Sequence, residues 1–329
     1  MSTSNYGSRG VMNPAPAIIV SSLSKRFGEV RAVDGLSFEV NPGEIFGLVG
    51  PDGAGKTTTL RMLAGVMGAD SGSATVAGCD VTRDPEGAKS LLSYMAQRFG
   101  LYEDLTVDEN ITFYADIFGV ARKQRRQRSQ ELLAAAGLSD FRSRLAGNLS
   151  GGMKQKLGLV CALIHTPKVL LLDEPTNGVD PVSRRDFWRI LYSLVAEGVA
   201  ILASTSYLDE AERCHRVGLL DHGRMLLCDR PQELKKKFPG EILAVHAAQP
   251  ARVRAALEGA PGVRSALLVG DRVHLFVDEA SRRLPDLRVR MESAGIAYDS
   301  MQTVGATIED LFVSAVEGEA TAARETKPS

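Results

Sequence analysis

A glycine-rich segment, Gly50–Thr57 (GPDGAGKT), restricts the fold more than any other feature of this chain. The strand-like run Ile45–Val49 precedes it, and apolar residues at helical spacing follow it and predict a helix over Thr57–Met67. Its three glycines let the backbone curl so that successive amides face one phosphate, and the helix start adds its positive dipole. Lys56 would reach the β- and γ-phosphates, and Thr57 would reach a magnesium ion. The segment predicts a strand, loop and helix that bind a nucleoside triphosphate, whereas a plain glycine-rich turn is the weaker alternative.

Length and charge limit the remaining possibilities. The chain has 329 residues, with 39 basic and 40 acidic side chains, so we expect two domains and no nucleic-acid partner. No apolar run approaches the roughly 20 residues that cross a bilayer, and the first residues lack the features of a signal peptide. We therefore expect a soluble, cytoplasmic protein. The four cysteines lack the paired spacing of a zinc site and are predicted to be reduced and without function.

The distribution of apolar periods predicts the domain organisation. Residues 1–16 and 318–329 are predicted to be disordered tails. Residues 17–240 are predicted to form an α/β nucleotide-binding domain with a mainly helical insert at about 91–163. Residues 241–317 follow the order strand, helix, hairpin, helix, strand, helix, which predicts a small α+β domain of ferredoxin-like type.

Two adjacent carboxylates end a second apolar run, Val169–Leu172. Such a run is typical of a central parallel strand that is buried on both faces. Asp173 would orient magnesium, directly or through water, and Glu174 would act as the general base for the attacking water. A helix cap is the alternative role for the pair, but the phosphate loop in the same chain favours the metal and base roles.

A third segment, Leu149–Gln155 (LSGGMKQ), places Ser150 and two glycines ahead of a predicted helix. There a hydroxyl and free amides can approach a γ-phosphate, although in isolation the segment fits a simple helix N-cap equally well. In combination with the two earlier motifs, it resembles the signature of ATP-binding-cassette (ABC) ATPases. The resemblance also identifies Gln97 as the glutamine of the Q-loop and Gly178–Asp180 as the D-loop.

The resemblance implies how such a site is assembled. In the family, the signature of one cassette completes the nucleotide site of an opposing cassette, so ATP is held between two subunits. Phe27 lies where the family places an aromatic residue that stacks on adenine, although a core phenylalanine is also possible. The segment that begins at Gln97 lies where the family docks a membrane subunit. The nearby basic run Arg122–Arg128 fits a solvated helix face, with anionic lipid or an acidic partner as alternatives.

One position departs from the family pattern, because Ser206 stands where the family has a histidine that contacts the γ-phosphate. By analogy with the loss of one transition-state donor, the change would slow hydrolysis by about 10²–10³-fold. Binding of the γ-phosphate through water, with normal turnover, is the alternative. The segments Gly47–Met67 and Ser204–Glu212 are most similar to the first cassette of two-cassette ATPases of the YbhF type from bacterial drug exporters. Because that cassette here forms a separate chain, we expect a heterodimer with a second cassette, and a homodimer is also possible.

The full resemblance implies a P-loop NTPase fold of the ABC nucleotide-binding type, with a RecA-like core, an antiparallel β subdomain and a helical subdomain. It also implies the ATP-binding and ATP-hydrolysing subunit of an ABC-2 exporter of the daunorubicin-resistance type, for drugs or other small molecules. ATP and Mg²⁺ would be its cofactors and a transmembrane permease its partner, and it would lie on the inner face of the cell membrane. A regulatory cassette with little hydrolysis and a soluble, non-transport ABC ATPase are the alternatives.

The same motifs define the predicted site residues. Catalytic roles fall to Glu174, Gln97 and Ser206, and metal binding falls to Thr57, Gln97 and Asp173. The residues predicted to bind the nucleotide are Phe27, Gly50, Pro51, Asp52, Gly53, Ala54, Gly55, Lys56, Thr57, Thr58, Ser150, Gly151, Gly152 and Asp180.

Overall fold

The computed structural model describes residues 14–325, with side chains described as far as residue 318. Contacts divide these residues into two compact units, residues 14–206 with 222–224 and residues 207–221 with 225–325. The elements of the first unit are β1 (Ile18–Phe27), β2 (Val30–Val40), β3 (Ile45–Val49), α1 (Lys56–Leu63), β4 (Ser71–Val76), β5 (Cys79–Asp80), α2 (Pro85–Leu91), β6 (Leu92–Met95), α3 (Val107–Ile117), α4 (Arg122–Ala136), α5 (Gly151–Leu163), β7 (Val169–Asp173), α6 (Pro181–Ala196) and β8 (Ala200–Thr205). Those of the second are α7 (Leu208–Ala211), β9 (Arg216–Asp221), β10 (Arg224–Asp229), α8 (Pro231–Lys236), β11 (Glu241–His246), α9 (Pro250–Leu257), β12 (Val263–Val269), β13 (Arg272–Val277), α10 (Ala280–Ser293), β14 (Ser300–Val304) and α11 (Ile308–Glu325).

Two sheets organise the first unit. An antiparallel sheet has the strand order β2-β1-β4-β5. Strands β3, β8, β7 and β6 are parallel neighbours in that order. All residues of β3, β7 and β8 are buried, as expected for apolar strands that are covered on both faces. The carboxyl ends of these strands lie at one edge of the sheet, and the candidate site forms there.

Helix α1 begins at Lys56, directly after Gly55 of the glycine loop and one residue earlier than the spacing of apolar residues predicted. Gly55 precedes the helix with a φ of 102°, a left-handed conformation that suits glycine. A side chain at this position would also collide with the backbone oxygen of Ala32. The helix ends at Leu63 rather than near Met67.

The helical insert is shorter than predicted at its start. Residues 92–95 form β6, which pairs in parallel with β7, and the first helix of the insert begins only at Val107. A strand of four residues is too short to show a period, so only its pairing with β7 reveals it. Thr106 begins α3 with a capping box in which its hydroxyl and the carboxylate of Glu109 each accept a backbone amide.

The C-terminal part of the second unit confirms the predicted α+β fold. Strands β11, β12, β13 and β14 form an antiparallel sheet in the order β12-β13-β11-β14, with α9 and α10 as the intervening helices. This βαββαβ connectivity is that of a ferredoxin-like domain. Its core consists of apolar side chains from the sheet and both helices, including Leu243, Leu275, Leu287 and Met291.

The C-terminal end of the last domain differs from prediction. Helix α11 continues past residue 317 to Glu325, so the helix is longer than its apolar period indicated. The predicted tails at residues 1–13 and 326–329 lie outside the described residues. None of the helices within residues 14–325 is both long enough and apolar enough to cross a membrane.

Within the second unit, α11 packs against α7 and α8. This packing attaches residues 207–221 and 225–240 to the C-terminal part of the chain. The compact units therefore separate near Ser206 rather than at the predicted boundary after residue 240. The domain boundary after residue 240 stays a prediction.

Candidate functional site

Lys56 lies at the centre of the candidate site, nearly inaccessible to solvent. Its Nζ donates to the carbonyl oxygen of Gly50 at 2.8 Å and to that of Pro51 at 3.1 Å. The same Nζ lies 3.2 Å from Oε1 of Glu174. An ammonium group has three donors, so the loop carbonyls and this carboxylate occupy all of them. These are the partners that a bound phosphate would have to replace or share.

Asp173, at the end of β7, accepts hydrogen bonds from three hydroxyl groups. Thr57 Oγ1 donates to its Oδ1 at 2.9 Å, and Ser204 Oγ donates to the same oxygen at 2.8 Å. Tyr94 donates to Oδ2 at 3.2 Å. The carboxylate is buried, and these donors fix its orientation toward the first turn of α1. The glycine loop and the magnesium carboxylate predicted from the sequence are thus brought into direct contact.

Tyr94 remains a hydrogen-bond donor at every physiological pH. Burial raises the pKa of its hydroxyl to about 12, and the negative charge of Asp173 acts in the same direction. A neutral phenol can donate to a carboxylate, whereas a phenolate would repel it. Tyr94 therefore keeps its hydrogen bond to Oδ2 of Asp173.

Glu174 adopts a backbone conformation that is unusual for its residue type. Its φ is 48°, in the left-handed region, and its amide donates to Ser204 Oγ at 3.0 Å. Gln97 Nε2 donates to its Oε2 at 3.1 Å, and Asn177 Nδ2 donates to the same oxygen at 3.2 Å. Strained backbone of this kind is concentrated at functional sites. The predicted base and the predicted Q-loop glutamine are in contact, and Gln97 touches the base rather than Thr57 or Asp173.

The loop combines a buried floor with an exposed rim. Gly50, Ala54 and Gly55 are buried, Thr57 and Thr58 are half-buried, and residues 51–53 are exposed. Gly50 donates its amide to the carbonyl oxygen of Thr205, which ties the loop to the end of β8. An anion can therefore approach the loop from its exposed rim.

The signature and D-loop residues form a second cluster in the same unit. Ser150 caps α5 by accepting the amide of Met153 at 3.3 Å. Asp180 caps α6 by accepting the amides of Val182 and Ser183 at 3.1 and 2.9 Å, and the bonds from Ser183 hold its pKa below the usual range. Gly152 packs so closely against Ser183 that a side chain there would collide with it. Within this chain Ser150 is thus a helix cap.

Two predicted residues stand apart from these clusters. Ser206 directly follows β8, one residue after Thr205, and its hydroxyl makes no hydrogen bond with any residue in the described range 14–318. Phe27 ends β1 and is 49% exposed, with the ammonium of Lys25 at 5.8 Å from the ring centroid. Its ring is therefore not part of the core and is open to stacking.

Three residues of the site were not predicted from the sequence: Tyr94, Asn177 and Ser204. Asn177 follows Glu174 by three residues, which was the only local signal for it. Ser204 lies beside Asp173 because β7 and β8 pair in parallel with these two residues in register. Tyr94 reaches Asp173 from β6, the strand that the sequence did not reveal.

The donor set fits a magnesium nucleotide. A hydroxyl from Thr57 and a carboxylate from Asp173 are the hard oxygen ligands that Mg²⁺ takes alongside phosphates and water. Within the described residues, no group of three or more histidine, cysteine or acidic side chains forms a metal cage. Mg²⁺ in such sites is held by few protein ligands, so this arrangement suits a metal that arrives with its nucleotide.

Comparison with known proteins assigns the chain to a family. Residues 33–177 match the ABC transporter family. The chain is 43% identical over 315 residues to the probable multidrug ABC transporter ATP-binding protein YbhF of Escherichia coli (strain K12). This match covers 94% of the chain but 54% of YbhF, so the chain spans about half the length of that relative.

Other relatives match over almost their whole length. The daunorubicin resistance ATP-binding protein DrrA2 of Streptomyces coeruleorubidus is 37% identical, over 88% of this chain and 93% of its own length. The Nod factor export ATP-binding protein I of Burkholderia thailandensis is 38% identical, over 92% of this chain and 97% of its own.

Solved structures show the same fold. The ATP-binding subunit of an ABC transporter superposes with a TM-score of 0.62 at 30% identity, covering 68% of this chain and 93% of its own. A nucleotide-free ATP-binding cassette from an ABC transporter has a TM-score of 0.61 at 26% identity, over 67% of this chain and 94% of its own. The predicted fold class is confirmed.

Proposed function

This chain belongs to the ATP-binding proteins of ABC transporters, and from that premise we propose that it binds and hydrolyses ATP as a subunit of a membrane exporter. The contact between the glycine loop and the two carboxylates carries the proposal, because Lys56 and Thr57 reach Glu174 and Asp173 directly. The names of YbhF, DrrA2 and the Nod factor protein support export of drugs or other small molecules.

The loop residues and Lys56 would bind the phosphates of ATP. Lys56 would exchange its bonds to Gly50 and Pro51 for phosphate oxygens, which are stronger acceptors than carbonyl groups. Thr58 and the glycine amides would complete the phosphate contacts at the helix start. Phe27 would stack on the adenine ring, a contact worth about 1–3 kcal/mol for each base.

Thr57 and Asp173 would hold Mg²⁺, with Gln97 as a further ligand once it leaves Glu174. The metal would supply positive charge at the β- and γ-phosphates. Tyr94 and Ser204 keep the Asp173 carboxylate in one orientation, so the metal site needs little rearrangement.

Glu174 would accept the proton of the attacking water. A positioned general base contributes about 10²–10⁴-fold to a rate. Gln97 and Asn177 both donate to Oε2 of Glu174, so they orient the carboxylate and leave Oε1 beside Lys56. Oε1 would become free to accept a proton once Lys56 bound a phosphate instead.

Ser150, Gly151, Gly152 and Asp180 would act on the nucleotide of an opposing cassette. Ser150 already caps its own helix through one lone pair, and its hydroxyl proton stays available as a donor to a phosphate. We favour a heterodimer, in which a second cassette supplies the histidine that Ser206 replaces here. A homodimer would carry Ser206 in both sites.

A transmembrane permease would be the partner that moves the cargo, and the chain would then lie on the inner face of the cell membrane. A 240 Å³ apolar cavity in the first unit suits such a partner, and we call it the docking cleft. Phe99, two residues after Gln97, lines it together with Tyr114 and with the exposed side chains of Phe118 and Val66. A helix inserted there would move with the segment that contacts Glu174.

A regulatory cassette that binds ATP and hardly hydrolyses it is the second candidate. Ser206 favours this role, because its hydroxyl makes no hydrogen bond within residues 14–318 and a serine side chain is too short to replace a histidine at the γ-phosphate. In this case the chain would still close on ATP, and the partner cassette would perform the hydrolysis.

ATP hydrolysis by the purified chain with magnesium tests both candidates. We expect Glu174→Gln to lower turnover at least about 100-fold while ATP binding persists, because only the base is lost. Ser206→His should raise turnover at least about tenfold if the serine limits the reaction. Glu86→Gln, at an exposed position on α2, is the matched control and should change neither value.

The results of these assays distinguish the hydrolysing subunit from the regulatory cassette. Brisk wild-type turnover with no gain from Ser206→His would support an ordinary homodimeric ATPase and remove the argument for an asymmetric partner. Retained hydrolysis in Glu174→Gln would contradict the assigned base. Tight ATP binding with no turnover by the chain alone in any variant, together with turnover that appears when a partner cassette is added and persists in Glu174→Gln, would support the regulatory role.

A further inference from the structure

The turn between α3 and α4 carries a combination of side chains that the nucleotide site does not use. Three cations, Arg122, Lys123 and Arg126, lie on the first turns of α4, and two apolar residues, Ile117 and Phe118, lie at the end of α3. We call these five residues the α3–α4 corner. All five are exposed.

The three cations of the corner lack partners, whereas their neighbours are paired. Arg125 lies 2.6 Å from Asp116, and Arg128 lies 3.6 Å from Glu131. The side chains of Arg122, Lys123 and Arg126 form no ion pair or hydrogen bond within the described part of the chain, residues 14–318. The corner therefore presents three uncompensated positive charges to the surroundings.

The folding of α4 does not explain these cations. Arg122 and Arg126 are four residues apart, so their like charges face each other on the helix surface. Cations in the first turn also oppose the helix dipole, and this turn contains no acidic residue and no side-chain cap. The cations of the corner therefore destabilise α4, which indicates that they serve an interaction with another molecule.

The apolar residues narrow the choice of partner. Ile117 is 60% exposed, and Phe118 is 38% exposed with its ring stacked on His165 at 3.7 Å between centroids. The bond from Arg125 to Asp116 joins the end of α3 to α4, so these residues and the cations form one surface. Aliphatic and aromatic groups beside lysine and arginine are the composition of surfaces that bind the headgroup boundary of a bilayer. A nucleic acid offers no partner for the isoleucine.

The position of the corner agrees with this partner. Phe118 also lines the docking cleft, and α4 begins four residues later at Arg122. A permease that enters the cleft lies in the membrane, so the corner would face the bilayer beside it; this step rests on the proposed function. We propose that the α3–α4 corner binds the anionic headgroup surface of a lipid bilayer, with Ile117 entering the headgroup layer.

Binding of the full chain to lipid vesicles tests the proposal without a permease. The probes are vesicles of phosphatidylcholine alone and vesicles with about 30% phosphatidylserine. A cation near an anionic surface contributes about fivefold in partitioning, so Arg122→Gln, Lys123→Gln and Arg126→Gln together should weaken binding on the order of 100-fold. Ile117→Ser should weaken it further. Glutamine keeps high helix propensity, which limits effects on folding.

A matched control removes the same charge elsewhere. Arg282, Arg288 and Arg290 are three exposed arginines of α10 whose side chains have no ion pair within the described residues. Val289 is exposed between two of these arginines, but α10 contains no aromatic residue, so no apolar pair like Ile117 and Phe118 lies beside them. Their replacement by glutamine should therefore leave vesicle binding within about twofold of wild type. Equal loss in both triple variants would mean that net charge alone drives binding and would overturn the proposal.

Further outcomes separate the membrane from other anions and from the proposed function. Release by inorganic phosphate beyond that caused by chloride of the same ionic strength would reveal a free-anion site and contradict a membrane surface. Absence of binding to either vesicle by a chain that binds ATP would overturn this inference and leave the ATPase proposal intact. Vesicle binding by a chain that fails to bind ATP would support this inference and contradict the ATPase proposal.

Discussion

At the scale of single residues, the chemistry of the site depends on hydroxyl groups that surround one carboxylate. Ser204 holds Asp173 through its Oγ and receives the amide of Glu174, so one buried hydroxyl positions both carboxylates. Because Ser204 is fully buried, solvent cannot replace the hydrogen bonds of its hydroxyl group. The orientations of the proposed metal ligand and of the proposed base are therefore coupled through one hydroxyl group.

Ser204→Ala should test this coupling. Loss of a hydrogen bond to a charged group costs about 1.5–3 kcal/mol, so the free energy of unfolding in urea should fall by that amount. The Mg²⁺ dependence of ATP hydrolysis should also shift to higher metal concentration. Ser193→Ala removes an exposed hydroxyl that bonds only within α6 and should change stability by less than about 0.5 kcal/mol. Equal effects of the two substitutions would contradict the coupling.

At the scale of elements, a buried hydrogen bond between a histidine and a carboxylate attaches α11 to the C-terminal sheet. His274 Nδ1 on β13 donates to Oδ1 of Asp310 at 2.8 Å, and Asp310 is fully buried. Thr307 donates its amide and hydroxyl to the other carboxylate oxygen at 2.8 and 2.7 Å. Burial acts to raise the pKa of Asp310, but the bonds from His274 and Thr307 outweigh it and lower the pKa. The pair fixes where the last helix begins.

Asp310→Asn should destabilise the protein in a pH-dependent manner. A carboxyl group with a lowered folded-state pKa stabilises the fold above its unfolded pKa of about 3.9, and this stabilisation disappears as the pH falls through the folded value. The difference in unfolding free energy between wild type and variant should be about 1–3 kcal/mol between about pH 5 and 7 and should shrink below about pH 4.

Asp299→Asn is the matched control for this prediction, because Asp299 pairs with His246 at the surface at 2.9 Å. Exposed ion pairs contribute about 0–1 kcal/mol, so this variant should differ little from wild type. If the effect of Asp310→Asn does not change with pH, the charge of the carboxylate is not what stabilises α11.

At the scale of the whole molecule, contacts separate the two compact units after Ser206, whereas the sequence predicted a domain boundary after residue 240. Helix α11 packs on α7 and α8, although about a hundred residues of chain separate α7 from α11. A division after residue 240 would expose the surfaces of α7 and α8 that α11 covers. The C-terminal domain is thus part of the folding unit that starts directly after Ser206.

A chain truncated after residue 240 should consequently bind the dye ANS and melt at lower temperature than the full chain, because apolar surface is exposed. A chain truncated after residue 318 keeps the buried residues Ile308 and Leu311 and should resemble wild type in both measurements. Cooperative melting of the shorter chain at the wild-type temperature would show that the predicted boundary is also the physical one.

The sequence by itself determined the features that depend on local spacing. The glycine loop, the carboxylate pair after β7 and the βαββαβ order of the last domain all rest on neighbours in the chain, so their patterns are visible without coordinates. The tertiary structure decided the strand β6, the contacts of Tyr94 and Ser204 with Asp173, and the packing of α11. Each of these depends on strand register or on surfaces that meet from distant parts of the chain, and no local period encodes such a meeting.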